Sequence, residues 1–329
     1  MTTPTQTHPR SLTDTRTEPD VRVEPRARLV GMRIVSLLPS ATEILFDLGA
    51  GDDVVGVTFE CDSPPEARDA AIVSFSAMPE GLTPAQIDEF VAAAMARGDE
   101  LYRLDADALR DLDADLVVTQ DLCAVCAVDV STVGDALMYL GCRAEVVTLD
   151  PHTLQEVWHS IETVGRLTGR SERAAEVVAA LRVRLAAVET AVADRPRPRV
   201  MVLEWTDPPF GPGHWIPEMV AAAGGECVLG VAGEKSVRTT WDAIRAAKPD
   251  VIVSAPCGFH ADAAAELTRE LLPTGVLPEG VPVWAVDANA SFARPAGRLV
   301  DGTEALAAIL HPEVAPTSTA TGTDRIRIR

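Results

Sequence analysis

Residues 152–194 carry no strand signal, while the chain on both sides alternates strands with helices. Within that stretch Leu154, Val157, Trp158, Ile161 and Val164 keep helical period, and Ala174–Val192 continues as an Ala/Leu/Val helix. Asp150-Pro151 opens it, with proline in the first helical turn, and Arg195-Pro-Arg-Pro198 closes it. Gly169 predicts a kink within one long helix of about 40 residues. A helix of that length in mid-chain predicts two lobes joined by a bridge, because a single α/β domain has little use for it.

The flanking segments fit this division. Before the bridge, Arg33–Leu38 reads as a buried strand, Ser40-Ala-Thr-Glu43 as a capping box, and Gly49 as a helix stop. Strand 54–58, an amphipathic helix over 84–97, strand 116–119, helix 130–140 and strand 144–149 follow. Beyond the bridge come strand 199–204, helices 216–223 and 241–247, strand 250–254, helix 261–271, strand 282–286 and helix 297–310. The halves echo each other, Arg33-Ile-Val-Ser-Leu37 against Arg199-Val-Met-Val-Leu203. The expected fold class is α/β, with two parallel-sheet, Rossmann-like lobes bridged by a long helix. The expected boundaries are a disordered tail over 1–31, a first lobe over 32–150, the bridge over 151–197, a second lobe over 198–312, and a disordered tail over 313–329.

Composition removes several function classes. The formal net charge is −20, from 29 basic and 49 acidic residues, so no basic face is available for nucleic acid or an anionic membrane. No run approaches the roughly 18 apolar residues of a membrane span, so membrane insertion is not expected. Residues 1–31 mix Thr, Pro, Arg, Asp and Glu and show neither an export signal nor a lipid-anchor cysteine, so the expected compartment is the cytoplasm. Lys235 and Lys248 are the sole lysines, and no phosphate loop, nucleophile elbow or His-Glu-x2-His motif is present. The expectation is a protein that binds without catalysing.

In open α/β sheets, ligands sit beyond the carboxyl ends of the strands. Those positions hold Phe59, Cys61 and Asp62, then Asp121, Cys123 and Cys126, in the first half. In the second half they hold Trp205, Asp207, His214, Trp215 and Glu218, then Cys257 and Phe259, then Asn289, Phe292 and Arg294. Phe75 and Trp241 lie beside them. Trp205, Trp215 and Trp241 are three of the five tryptophans in a chain with 4% aromatics, which points to a flat, bulky, partly apolar ligand. Arg294 suits an anionic ligand group, or equally an ion pair with Asp287 or Asp301. Asp62, Asp121 and Asp207 suit ligand amides or turn caps. His214 suits a metal carried by the ligand, a hydrogen bond to a ligand amide or carboxylate, or the cap of its own helix. Cys123 and Cys126 with His214 form a candidate metal set for zinc or iron; a redox pair and plain core packing are the alternatives.

Taken in order, these motifs resemble the class III solute-binding proteins of ABC importers, in their cobalamin-binding branch. The similarity covers about residues 32–312. It rests on Arg33-Ile-Val-Ser-Leu-Leu-Pro-Ser-Ala-Thr-Glu43, Val55-Gly-Val57, Pro64-Pro65, the paired strands Ala114-Asp-Leu-Val117 and Pro249-Asp-Val-Ile252, Pro208-Pro-Phe210 and Gly224-Gly-Glu226. The resemblance implies two lobes around one rigid helix, a cobalamin or related corrinoid clamped between them, and an importer permease as a partner. Phe59 and Phe75 stand near where the family's cobalamin clefts use Trp and Tyr, and residues 80–104 look inserted relative to exported relatives. Two other readings use the same residues: a haem or iron-siderophore binding protein, and a cytosolic metal-thiolate or redox enzyme built on Cys123 and Cys126.

Overall fold

A computed structural model describes residues 31–120, 144–313 and 325–329. The predicted helix over 130–140, and Asp121, Cys123 and Cys126, lie outside the described residues. Gly31–Arg329 forms one compact unit.

Two mainly parallel sheets organise it. The first holds β1 (Ile34–Ser36), β2 (Val54–Thr58), β3 (Ala71–Ser76), β4 (Tyr102–Leu104), β5 (Leu116–Thr119) and β6 (Glu145–Thr148), in the order β4-β3-β2-β1-β5-β6. Only β4 runs antiparallel, against β3. The second is built around β7 (Arg199–Leu203), after which β8 (Trp205–Thr206) and β9 (Pro209–Gly211) form a small antiparallel hairpin. β10 (Glu226–Cys227) joins the second sheet and β11 (Val237–Arg238) joins the hairpin. With β12 (Val251–Ser254), β13 (Val283–Val286) and β14 (Arg325–Arg327), the second sheet has the order β10-β7-β12-β13-β14. The central strands β1, β5, β7 and β12 are buried throughout apart from half-buried Arg199, which explains their near-continuous Val/Ile/Leu runs.

The helices, in chain order, are α1 (Pro39–Asp47), α2 (Pro84–Arg97), α3 (Ala106–Asp111), α4 (Leu154–Leu167), α5 (Ser171–Val192), α6 (Ile216–Ala222), α7 (Trp241–Ala246), α8 (Ala261–Glu270), α9 (Ala288–Ser291) and α10 (Leu299–Leu310). The amphipathic pattern gave α2 at its observed bounds, started by a Thr83/Gln86 capping box. Among the described residues, no helix is long and apolar enough to cross a membrane.

Three expectations are corrected. The bridge is not one long helix. The chain reverses at Thr168–Arg170, where Gly169 takes φ +65°, and α4 packs antiparallel on α5, so that Gln155 accepts from Arg182. Gly165 permits the close approach: a Cβ there would lie 2.4 Å from that of Ala174. Periodicity runs unbroken through both helices because each buries one face, so it could not show the turn.

Ser40 does not cap α1. Leu38 holds the N-cap position with no side-chain bond, since the helix starts at Pro39, two residues earlier than a Ser40 cap requires, and Pro39 has no N–H to satisfy. Ser40 and Glu43 are therefore buried inside the helix.

The last residues are not disordered. Arg325–Arg327 pairs antiparallel with β13, and Ile326 packs near Ala264, Ala265 and Ala285. The Arg-Ile alternation is a strand pattern with one buried face.

Apolar packing runs continuously from Ile34, Leu38 and Leu45 of the first sheet side, through Trp158, Ile161 and Val188, to Val200, Val253 and Leu299 of the second. The helix α5, about 33 Å long at 1.5 Å per residue, carries this core across. It packs on α4 and on α10, where Arg184 pairs with Asp301 and Glu304.

Candidate functional site

The strand-end segments of the two sheets meet around Arg294, in the loop between α9 and α10. Its guanidinium donates to Asp62 Oδ1 at 2.6 Å, to Glu43 Oε1 at 3.2 Å and to the Glu60 carbonyl at 3.1 Å. Arg298 donates to both oxygens of Glu43, at 2.7 and 3.1 Å. The Arg294 side chain is 8% exposed and Glu43 5%, so these charges are buried and paired rather than displayed to a ligand. Burial pushes the Glu43 carboxyl up, against the pull of Arg298 and Arg294. Burial also acts upward on Asp62, but Arg294 and His260 outweigh it and hold that carboxyl below its ordinary range. The arginine predicted to face an anionic ligand or Asp287/Asp301 thus has its partners on α1 and in the loop after β2.

His260 extends the network. Its Nδ1 lies 3.1 Å from both oxygens of Asp287, and its Nε2 lies 3.2 Å from Asp62 Oδ2. Asp287 is itself held by Ala290 N–H at 2.7 Å, as the cap of α9. Sequence reasoning missed His260 because the residue before a helix reads as a cap. It missed Glu43 because Ser-x2-Glu reads as one too.

Next to His260 stands an aromatic wall. Phe259 lies 5.8 Å from Trp205, ring to ring. The Trp205 indole donates to the Asp207 carbonyl and to the Pro84 carbonyl at the start of α2. Arg238 of β11 donates to both oxygens of Asp88, also on α2, at 2.7 and 2.9 Å. The segment 80–104 therefore leans on the small sheet of β8, β9 and β11. Phe59 packs against Tyr102 of the same segment, 6.1 Å ring to ring, and Tyr102 donates to Glu60. Burial raises Glu60 to about 7.

A second junction lies at His152 and His214, whose rings are 5.5 Å apart. His214, at φ +50°, is wedged against Trp215 as well, and burial, His152 and Lys235 lower its pKa. Glu218 accepts from the Leu154 N–H at 2.6 Å, which fixes the start of α4.

The remaining candidates divide clearly. Cys257 is exposed, Asp207 is exposed, and Asn289 is half-buried with its N–H on the Phe259 carbonyl. These stay with the group at the strand ends. Trp215 and Phe292 are core: both are nearly fully buried and the indole donates to the Phe292 carbonyl at 2.8 Å. Trp241 packs with Met201 and Ile244 behind the second sheet. Cys61 is buried 3.0 Å from the Thr42 hydroxyl, and burial pushes its thiol to about 11, which makes it a packing residue. Phe75 is half exposed on β3 beside the antiparallel edge strand. Among the described residues, no group of three or more His, Cys, Asp or Glu is placed to hold a metal ion.

Residues 34–274 match the family described as periplasmic binding protein. The chain belongs to that family. It is 27% identical over 288 residues to a cobalamin-binding protein of Halobacterium salinarum, covering 85% of this chain and 69% of the relative. Its fold is that of solved periplasmic binding proteins. A periplasmic heme binding protein from Pseudomonas aeruginosa superposes with TM-score 0.66 at 20% identity, over 88% of this chain and 95% of the other. The periplasmic vitamin B12 binding protein BtuF of Vibrio cholerae gives 0.61 at 22% identity, over 84% and 96%. The junction of the strand ends is where this chain gathers Arg294, His260, Trp205 and Phe259.

Proposed function

We propose that this protein binds cobalamin or a related corrinoid at the junction of its two sheets, without catalysing a reaction on it. It would serve as the substrate-binding component of an importer or as a carrier in the cytoplasm. The observation that carries the ligand class is the commitment of Arg294, Arg298 and Arg238, the cations found at this junction among the described residues. Arg294 and Arg298 are paired with Glu43 and Asp62, and Arg238 with Asp88. A tetrapyrrole with propionates, or an anionic iron chelate, needs unpaired positive charge in its pocket. A corrinoid ringed with neutral amides needs hydrogen-bond acceptors and an aromatic wall. Asp207, the Asp62/Asp287 pair and Trp205/Phe259 supply these, and the cobalamin-binding relative supports the same class.

Haem is the second reading, favoured by the likeness to the heme binding protein of Pseudomonas aeruginosa. Parallel titration of the purified protein with cyanocobalamin and with haemin, followed by visible absorption, decides between them. Saturable cyanocobalamin binding is expected. Absence of binding below about 100 μM would count against the corrinoid, and tighter binding of haemin would replace it.

A further inference from the structure

We infer that His260 is the residue that meets the metal of the bound corrinoid, with Asp287 as its positioning residue. The inference rests on the corrinoid reading above.

His214, the imidazole singled out from the sequence, is wedged between His152 and Trp215. His260 is placed differently. Its side chain is 56% exposed, so a large ligand can reach it. It occupies the N-cap position of α8 yet makes no cap bond there; its ring goes to carboxylates instead. Nδ1 faces both oxygens of Asp287, which is 15% exposed and anchored by Ala290 N–H. A histidine that donates Nδ1–H to a fixed carboxylate has its ring plane set and its Nε2 turned to the opposite side, here toward Asp62. That arrangement orients metal-binding histidines generally.

Among the described residues, Nε2 faces Asp62 Oδ2, at 3.2 Å. Asp62 does not depend on that contact, because its other oxygen is held by Arg294 at 2.6 Å. A ligand metal can therefore take the place of Asp62 at Nε2 without leaving a carboxylate unpaired. The preceding residue, Phe259, forms with Trp205 the wall on which a flat ring would rest. The step is a ligand exchange: Nε2 gives up to solvent the proton it shares with Asp62, a bond forms between Nε2 and cobalt(III), the bond from cobalt to its axial water breaks, and the water leaves. No electron is transferred.

Aquocobalamin and cyanocobalamin test this, because the first has an exchangeable axial water and the second holds cyanide there. Wild-type protein is expected to shift the visible bands of aquocobalamin at one equivalent and to bind cyanocobalamin with no such shift. The shift is expected to vanish in His260→Ala and His260→Gln, and to persist in His159→Ala, which removes an exposed imidazole remote from this loop. Asp287→Asn is expected to weaken aquocobalamin binding about tenfold or more while leaving a reduced shift. A shift that survives in His260→Gln overturns the inference. So does wild-type protein that binds cyanocobalamin but leaves the aquocobalamin spectrum unchanged, in which case the corrinoid reading stands. Failure to bind either corrinoid overturns both.

Discussion

Arg294 and Asp62, 232 residues apart in sequence, meet at 2.6 Å where the ends of the two sheets face each other. With Glu43 and Arg298 they form a network, buried at Arg294 and Glu43 and half-buried at Asp62 and Arg298, that ties α1 and the loop after β2 to the segment before α10. Buried pairs of this kind contribute little when intact, because desolvation offsets attraction, yet removing one member leaves an uncompensated charge.

Arg294→Ala should therefore destabilise the protein by about 3–5 kcal/mol. It strips one of two partners from Asp62, leaving His260, and one of two from Glu43, leaving Arg298. Urea denaturation of the variant and the wild type measures it. A loss below about 1 kcal/mol would mean the network is solvated, as surface pairs are.

Glu204 and Glu60 set a pH dependence. Burial raises each to about 7, from an ordinary value of 4.5. Between those values the folded carboxyls hold protons that the unfolded chain has released, so stability falls as pH rises from 4.5 to about 7. Asp62, held low, acts the other way and only in more acidic solution: its contribution is lost as pH falls through its depressed value. Glu204→Gln should flatten the decline between pH 4.5 and 7, read as Tm against pH. An unchanged slope would show that Glu204 is ionised in the fold.

Gly165→Ala tests the helical hairpin. Alanine improves helix propensity by up to about 1 kcal/mol, but its Cβ would sit 2.4 Å from that of Ala174. Overpacking should win, with a net loss of about 1–3 kcal/mol. A stabilised variant would show that α4 and α5 are farther apart than this.

Trp205 should report ligand binding. It is half-buried at the wall, whereas Trp158 and Trp215 are almost fully buried in the core. Cyanocobalamin should quench tryptophan fluorescence, and Trp205→Phe should remove the larger part of the change. Equal quenching in the variant would place the ligand away from this residue.

Residues near one another in sequence determined most of the architecture. Buried strands declared themselves as unbroken Val/Ile/Leu runs, and α2 as an amphipathic stretch between Thr83 and Gly98, because strand and helix patterns are imposed within a few residues. The edge strand β4 and its neighbour β3 did not, since Ala71–Ser76 is only partly buried and carries no continuous apolar signal. At Gly169 a kink was legible but the reversal was not, for a related reason: two helices that each bury one face share one period.

The site was decided by the tertiary structure. Loop position alone brought Trp205, Phe259, Asp62 and Arg294 forward from the sequence. Nothing in the sequence could show that Arg294 is already neutralised by Glu43 and Asp62, that Trp215 and Phe292 face the core, or that Asp287 turns His260 outward. Secondary structure is fixed by neighbours along the chain, whereas charge pairing and burial depend on which distant segments the fold brings to within about 3 Å, and only the packed sheets settle that.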